Sequence, residues 1–184
     1  MTDLRARILA AALAEAEEAG WYELRLHRVA DRAGVTLAEL HGTFRDADAI
    51  ADAWFGQALQ AMLELPAESL DRLPPVGRME AALLRWFEVQ AAHRSVVGGM
   101  LRAKLHPSHP HHWVPAVFNL SRLVHCALDV ARVDGRGLAR QGQEVGATLA
   151  VLVALTAFPR DDAALTRTTA ALRRGLAFLD RLRA

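Results

Sequence analysis

Apolar residues recur at helical spacing from the start of the chain. Leu4, Ile8, Leu9, Ala12, Leu13 and Ala16 share one helix face, and Gly20 is a natural stop. A short helix follows over His27–Ala33, with Val29, Ala30 and Ala33 inward, and Gly34 supplies the turn. Thr36-x-x-Glu39 is a capping-box signature that opens the next helix, with Leu37, Leu40 and Phe44 on its inner face. Asp46 is placed to cap a fourth helix through Ile50, Trp54, Leu59 and Met62. Pro66, Pro74 and Pro75 then interrupt the pattern.

Beyond this break Met79, Leu83, Trp86, Phe87 and Gln90 predict an amphipathic helix to about Arg94, and another covers Val96–Leu105. The His/Pro stretch 106–112 reads as a loop, followed by helices over Val114–Ala131 and roughly Leu138–Phe158. A last helix carries Leu165, Leu172, Leu176, Leu179 and Leu182. Nothing alternates with period two over a useful length, so the fold class expected is all-α, with about nine helices. The organisation expected is a first domain over 1–50, a connecting helix over 47–64, and a second domain over 51–184.

Composition sharpens this picture in two places. Apolar residues make up 52% of the 184, ample for a core and for a leftover apolar cavity. The single Cys126 forms no internal disulfide, and no charged-then-apolar leader opens the chain, so a reducing, cytoplasmic setting is expected. The longest nearly apolar run, Val145 to Phe158, is 14 residues, short of the roughly 18 a membrane span needs. Charge is uneven. Residues 1–55 hold six arginines against ten carboxylates, a net −4, while the whole chain is +1.

Over Val29–Ile50, "VADRAGVTLAELHGTFRDADAI", the chain resembles the TetR family of dimeric, ligand-responsive transcriptional regulators. The pattern Ala-x-x-Ala-Gly-Val-Ser/Thr, then an aromatic, a Phe, a Lys and an apolar residue lies on it without gaps. Ala30, Ala33, Gly34, Val35, Thr36, Leu40, Phe44 and Ile50 match. The resemblance implies an N-terminal three-helix domain with a helix-turn-helix and a helical body that binds ligand and dimerises. It departs on the DNA side: the family's phosphate-contacting aromatic is His41 here, and its Lys is Ala47, flanked by Asp46, Asp48 and Asp52. Gly20-Trp21 and the C-terminal order "ATLAVLVALTAFPRDD…TTAALRRGLAFLD" are also similar to a lipid-binding accessory family of ubiquinone biosynthesis. That family shares the fold without acting as a repressor, and its terminal helix touches membranes.

Candidate residues follow from these expectations. The DNA-facing set is Arg28, Thr36, Leu37, Glu39, His41, Thr43 and Arg45. The groove-facing positions Leu37, Ala38, Glu39, Gly42 and Thr43 offer no bidentate Arg–guanine or Asn–adenine reader, and Glu39 serves as a cap or as an acceptor from cytosine. A small hydrophobic ligand or lipid is expected among some of Trp86, Met100, Leu101, Trp113, Phe118, Leu123 and Leu128, although each taken singly reads first as an ordinary core position. Gly142, Gly146, Leu172, Leu176 and Leu179 suit a homodimer interface through the last two helices, or packing within one chain. His106, His109, His111 and His112 are read as a solvated loop rather than a metal site, because prolines hold the segment extended and no Cys or acidic partner lies within it. No phosphate loop, nucleophile elbow or His-Glu-x-x-His appears, and Asp161-Asp162 suit a helix start. No cofactor and no catalysis are expected. The function expected is TetR-type regulation with a duplex DNA operator, the alternative a lipid-binding accessory protein that has lost DNA.

Overall fold

A computed structural model describes residues 2–107 and 112–181. Among these every regular element is helical: α1 (Thr2–Ala19), α2 (Leu26–Ala33), α3 (Leu37–Thr43), α4 (Ala47–Leu63), α5 (Ala67–Leu70), α6 (Pro75–Gln90), α7 (Arg94–Lys104), α8 (Trp113–Val130), α9 (Leu138–Ala157) and α10 (Thr166–Arg181). Because α5 is a single turn, nine longer helices remain, as the periodicity predicts. The chain forms two compact units, one of residues 1–57 with 93–112 and one of 58–92 with 113–184.

In the first unit α1 buries Ile8, Leu9, Ala12, Leu13 and Ala16 of the stripe read from spacing, while Leu4 is half-buried and Ala11, outside that stripe, is buried as well. Gly20 ends it at φ 86°, where only glycine is unstrained, and its N–H reaches the Ala16 carbonyl at 2.9 Å. The turn Trp21–Glu23 follows, with Trp21 buried. α7 packs on this turn and on α1. The approach is close: a Cβ on Gly99 would stand 2.7 Å from that of Trp21, so glycine is required there.

In the second unit α6 packs against α8 and α10, and α9 against α8 and α10. Pro75 occupies the first turn of α6, where a missing N–H costs nothing. The core of the unit includes Met79, Leu83, Phe87, Leu128, Phe158 and Leu172. Phe87 meets both Trp86 and Phe158, with ring centroids 5.0 and 5.1 Å apart. α9 and α10 cross closely at Gly175, where a Cβ would stand 2.5 Å from that of Ala150. Asp161 and Asp162 accept the first amides of α10: Asp161 those of Arg167 (3.0 Å) and Thr168 (2.6 Å), Asp162 that of Thr166 (3.1 Å).

Candidate nucleic-acid interface

The geometry of α2, the turn and α3 follows from a few local choices. Gly34 stands in the left-handed region (φ 63°, ψ 43°), its N–H returning to the Ala30 and Asp31 carbonyls, and Val35 N–H reaches Ala30 O at 3.0 Å. Thr36 then starts α3 with a complete capping box. The Glu39 N–H donates to Thr36 Oγ1 (3.2 Å), while the Thr36 N–H and hydroxyl both donate to Glu39 Oε2 (2.8 Å each). These two donors, amide first, hold the Glu39 carboxyl below the ordinary carboxylate range. The carboxylate is thereby engaged at the cap.

Leu40 and Phe44 are buried, but Leu37 is 45% exposed. The inner-face reading of Leu37 is thus corrected. α3 ends at Thr43, and Phe44 is an extended cap residue (φ −135°), so it enters the core off the helix and does not continue the helical row with Leu37. The Thr43 hydroxyl bonds back to the Glu39 carbonyl (2.9 Å), and His41 Nδ1 lies 3.2 Å from the Arg45 carbonyl. At the next start, Asp46 Oδ1 receives the Ala49 N–H at 2.7 Å. Burial pushes the Asp46 carboxyl up, yet this bond and Arg45 outweigh it and the net shift is downward.

The arginines of this unit's opening segment all have partners within it. Arg7 donates to the Ala33 (2.6 Å) and Gly34 (3.2 Å) carbonyls, clamping the turn from α1. Arg5 lies 4.5 Å over the Phe44 ring, also from α1. Arg25 pairs with Glu23, Arg28 with Glu15 (3.7 Å), Arg32 with Glu15 and Glu18, and Arg45 with Asp46 (2.8 Å). Arg28 and Arg45 are 58% and 77% exposed in their side chains. Arg45–Asp46 is exposed at both ends, and such pairs contribute about 0–1 kcal/mol, so a phosphate can take Arg45 at little cost. Arg28 reaches Glu15 only at 3.7 Å, and that buried carboxylate keeps Arg32 at 3.3 Å if Arg28 leaves. Arg5 and Arg7 instead hold the helix-turn-helix in shape, a role no spacing in the sequence signals.

Lys104, the chain's one lysine, also turns inward. It is buried, with Nζ 2.5 Å from Asp48 Oδ1 and 2.9 Å from Asp52 Oδ1 in the first turns of α4. Two of the three carboxylates that sequence set beside the missing family lysine are therefore paired from α7, the single ammonium offsetting one of their two charges. His112 Nδ1 is 3.9 Å from the same Asp48 oxygen.

The other candidates are distributed as follows. Met100 is buried in the first unit and Leu101 half-buried. In the second unit Trp86, Leu123 and Leu128 are buried, whereas Trp113 and Phe118 face outward on α8, Phe118 at 68% exposure. Leu172 and Leu176 are buried on α10, which packs on α9 and α6 of its own chain, and Gly146 is buried while Gly142 is half-buried. The Leu179 side chain, like His109 and His111 of the loop, lies outside the described residues. Large apolar residues left outward on α9 include Leu138 at its start and Val145, Leu149, Leu152 and Val153 further along. No cluster of three metal-ligating side chains occurs among the described residues.

No family model matches the chain, and no curated protein matches it. Solved structures do. The crystal structure of a TetR transcriptional regulator from Nitrosomonas europaea is 29% identical, with a TM-score of 0.83 over 96% of this chain and 98% of that one. A TetR transcriptional regulator from Rhodococcus sp. RHA1 is 17% identical, with a TM-score of 0.68 over 97% of this chain and 96% of that one, a likeness of fold.

Proposed function

For a chain that has the TetR-regulator fold along nearly its whole length, we propose ligand-responsive transcriptional control as its function. A homodimer sets two copies of α3 against duplex DNA, and a small hydrophobic molecule in the helical body biases the spacing of the two DNA-binding domains. This is a shift of a pre-existing equilibrium, not chemistry. The observation that carries the reading is the full-length likeness, at 29% identity, to a structure described as a TetR transcriptional regulator. The capped, Arg7-clamped helix-turn-helix supports it. In this reading Arg45 leaves its exposed partner Asp46, and Arg28 its 3.7 Å contact with the buried Glu15, for phosphates, with Thr43 and His41 as further contacts. The outward Val145, Leu149, Leu152 and Val153 supply an apolar strip for a second copy. The setting is the bacterial cytoplasm.

One observation favours a second reading, a lipid-binding accessory protein with the same fold and no DNA. Each of the six arginines within residues 1–55 has an intramolecular partner, and the segment is net negative. Pull-down of genomic fragments by the purified chain separates the two. A regulator retains particular fragments and releases them steeply as salt rises; the lipid-binding reading predicts no fragment retained and binding to vesicles instead.

A further inference from the structure

We infer that Gln90 is the polar anchor for a small molecule with an apolar body and one hydrogen-bond donor, a hydroxyl or an N–H. The inference rests on the ligand-responsive reading above and names the chemistry that reading leaves open. Gln90 closes the buried stripe of α6 formed by Met79, Leu83, Trp86 and Phe87, and it is fully buried. Its Nε2 donates to the Trp86 carbonyl at 2.9 Å. That bond fixes the amide: the nitrogen faces its own helix, and Oε1 faces away from it. Oε1 is buried and receives no hydrogen bond from the protein.

A glutamine oxygen has two acceptor sites, and burying both without a donor is disfavoured. Leu or Met would fill the position with similar volume and nothing to satisfy, so the fold alone gains little from an amide here. The neighbouring ring surfaces are apolar, since Trp86 and Phe87 stand edge to face and Phe87 continues to Phe158. An apolar body suits those rings, and only a donor suits Oε1. A carboxylate or an ether would set acceptor against acceptor. The structure thus assigns the site to alcohols, phenols or secondary amides over acids and ethers of the same size.

The test uses the full-length chain and a Gln90→Leu variant, titrated calorimetrically with n-decanol, decyl methyl ether and decanoate. The wild type is expected to bind decanol about tenfold more tightly than the ether, the worth of one buried hydrogen bond, and decanoate weakest. In Gln90→Leu the alcohol and the ether should bind within about twofold of one another, the alcohol's advantage gone with the acceptor. Equal affinity for alcohol and ether in the wild type would mean that water fills the position, and overturns the inference. So does an unchanged preference in the variant, or no binding of any of the three. Retention of DNA fragments by the same preparation decides the regulator reading separately, so either can fail alone.

Discussion

Lys104 Nζ lies 2.5 Å from Asp48 Oδ1, a buried ion pair that fastens the end of α7 to the first turn of α4, with Asp52 as its second acceptor at 2.9 Å. Removing the lysine takes the ammonium from the nearly buried Asp48, and breaking a buried pair in this way costs about 3–5 kcal/mol. Asp52 is a third exposed and softens the loss, so Lys104→Met should destabilise the chain by about 3 kcal/mol in urea unfolding. The triple variant Lys104→Met/Asp48→Asn/Asp52→Asn should recover most of it. If the single variant unfolds with the wild type, the ion pair contributes nothing.

The α10 cap makes a pH prediction. Asp161 is buried; burial raises its carboxyl, but the Thr168 and Arg167 donors and the Asp162 amide outweigh this and hold it below the ordinary range. A carboxyl depressed in the folded state stabilises fully above its unfolded pKa, and the contribution is lost as pH falls through the folded one. Asp161→Ala should therefore cost about 2 kcal/mol at neutral pH, the upper end for a helix cap. The gap from wild type should hold down to about pH 4 and shrink below it. A gap that grows on acidification would reverse the assigned sign.

At Gly175 the expectation is steric. An added Cβ would meet Ala150 at 2.5 Å, so Gly175→Ala should lower stability by about 1–3 kcal/mol despite its better helix propensity. Gly175→Ala/Ala150→Gly should restore part of the loss. Thermal melts of the three proteins check it, and a single variant more stable than wild type would show that α9 and α10 are not so closely seated.

Thr36 and Glu39 separate capping from base reading. Thr36→Ala removes the hydroxyl that receives the Glu39 amide and should cost about 1 kcal/mol. Glu39→Gln keeps an oxygen for the Thr36 amide and should leave stability nearly unchanged. A fall in operator affinity on Glu39→Gln with stability unchanged would show that the carboxylate reads a base.

Much of the fold was legible in sequence because it is written locally. The α1 stripe, Gly34, the Thr36/Glu39 box and the Asp161-Asp162 start each act within a few residues. What sequence could not show joins distant segments: Arg7 on the Ala33 carbonyl, Gly99 against Trp21, Lys104 across to Asp48. Leu37 was misread because the helical row was extended through Phe44, which already lies past the helix end. The candidate site is the least legible part. A count of charges gives the segment's sign, but only the folded pairs reveal that Arg5 and Arg7 act on the motif itself while Arg28 and Arg45 stay exposed.

The most direct test of the regulator reading is retention of genomic fragments by the purified chain, followed by salt titration of any fragment recovered. The account predicts submicromolar binding at physiological salt by a dimer. It also predicts that Arg28→Ala and Arg45→Ala each flatten the dependence of log affinity on log salt by about 2, one phosphate contact per protomer. Failure to retain any fragment even at low salt, with the chain folded and dimeric, would contradict it.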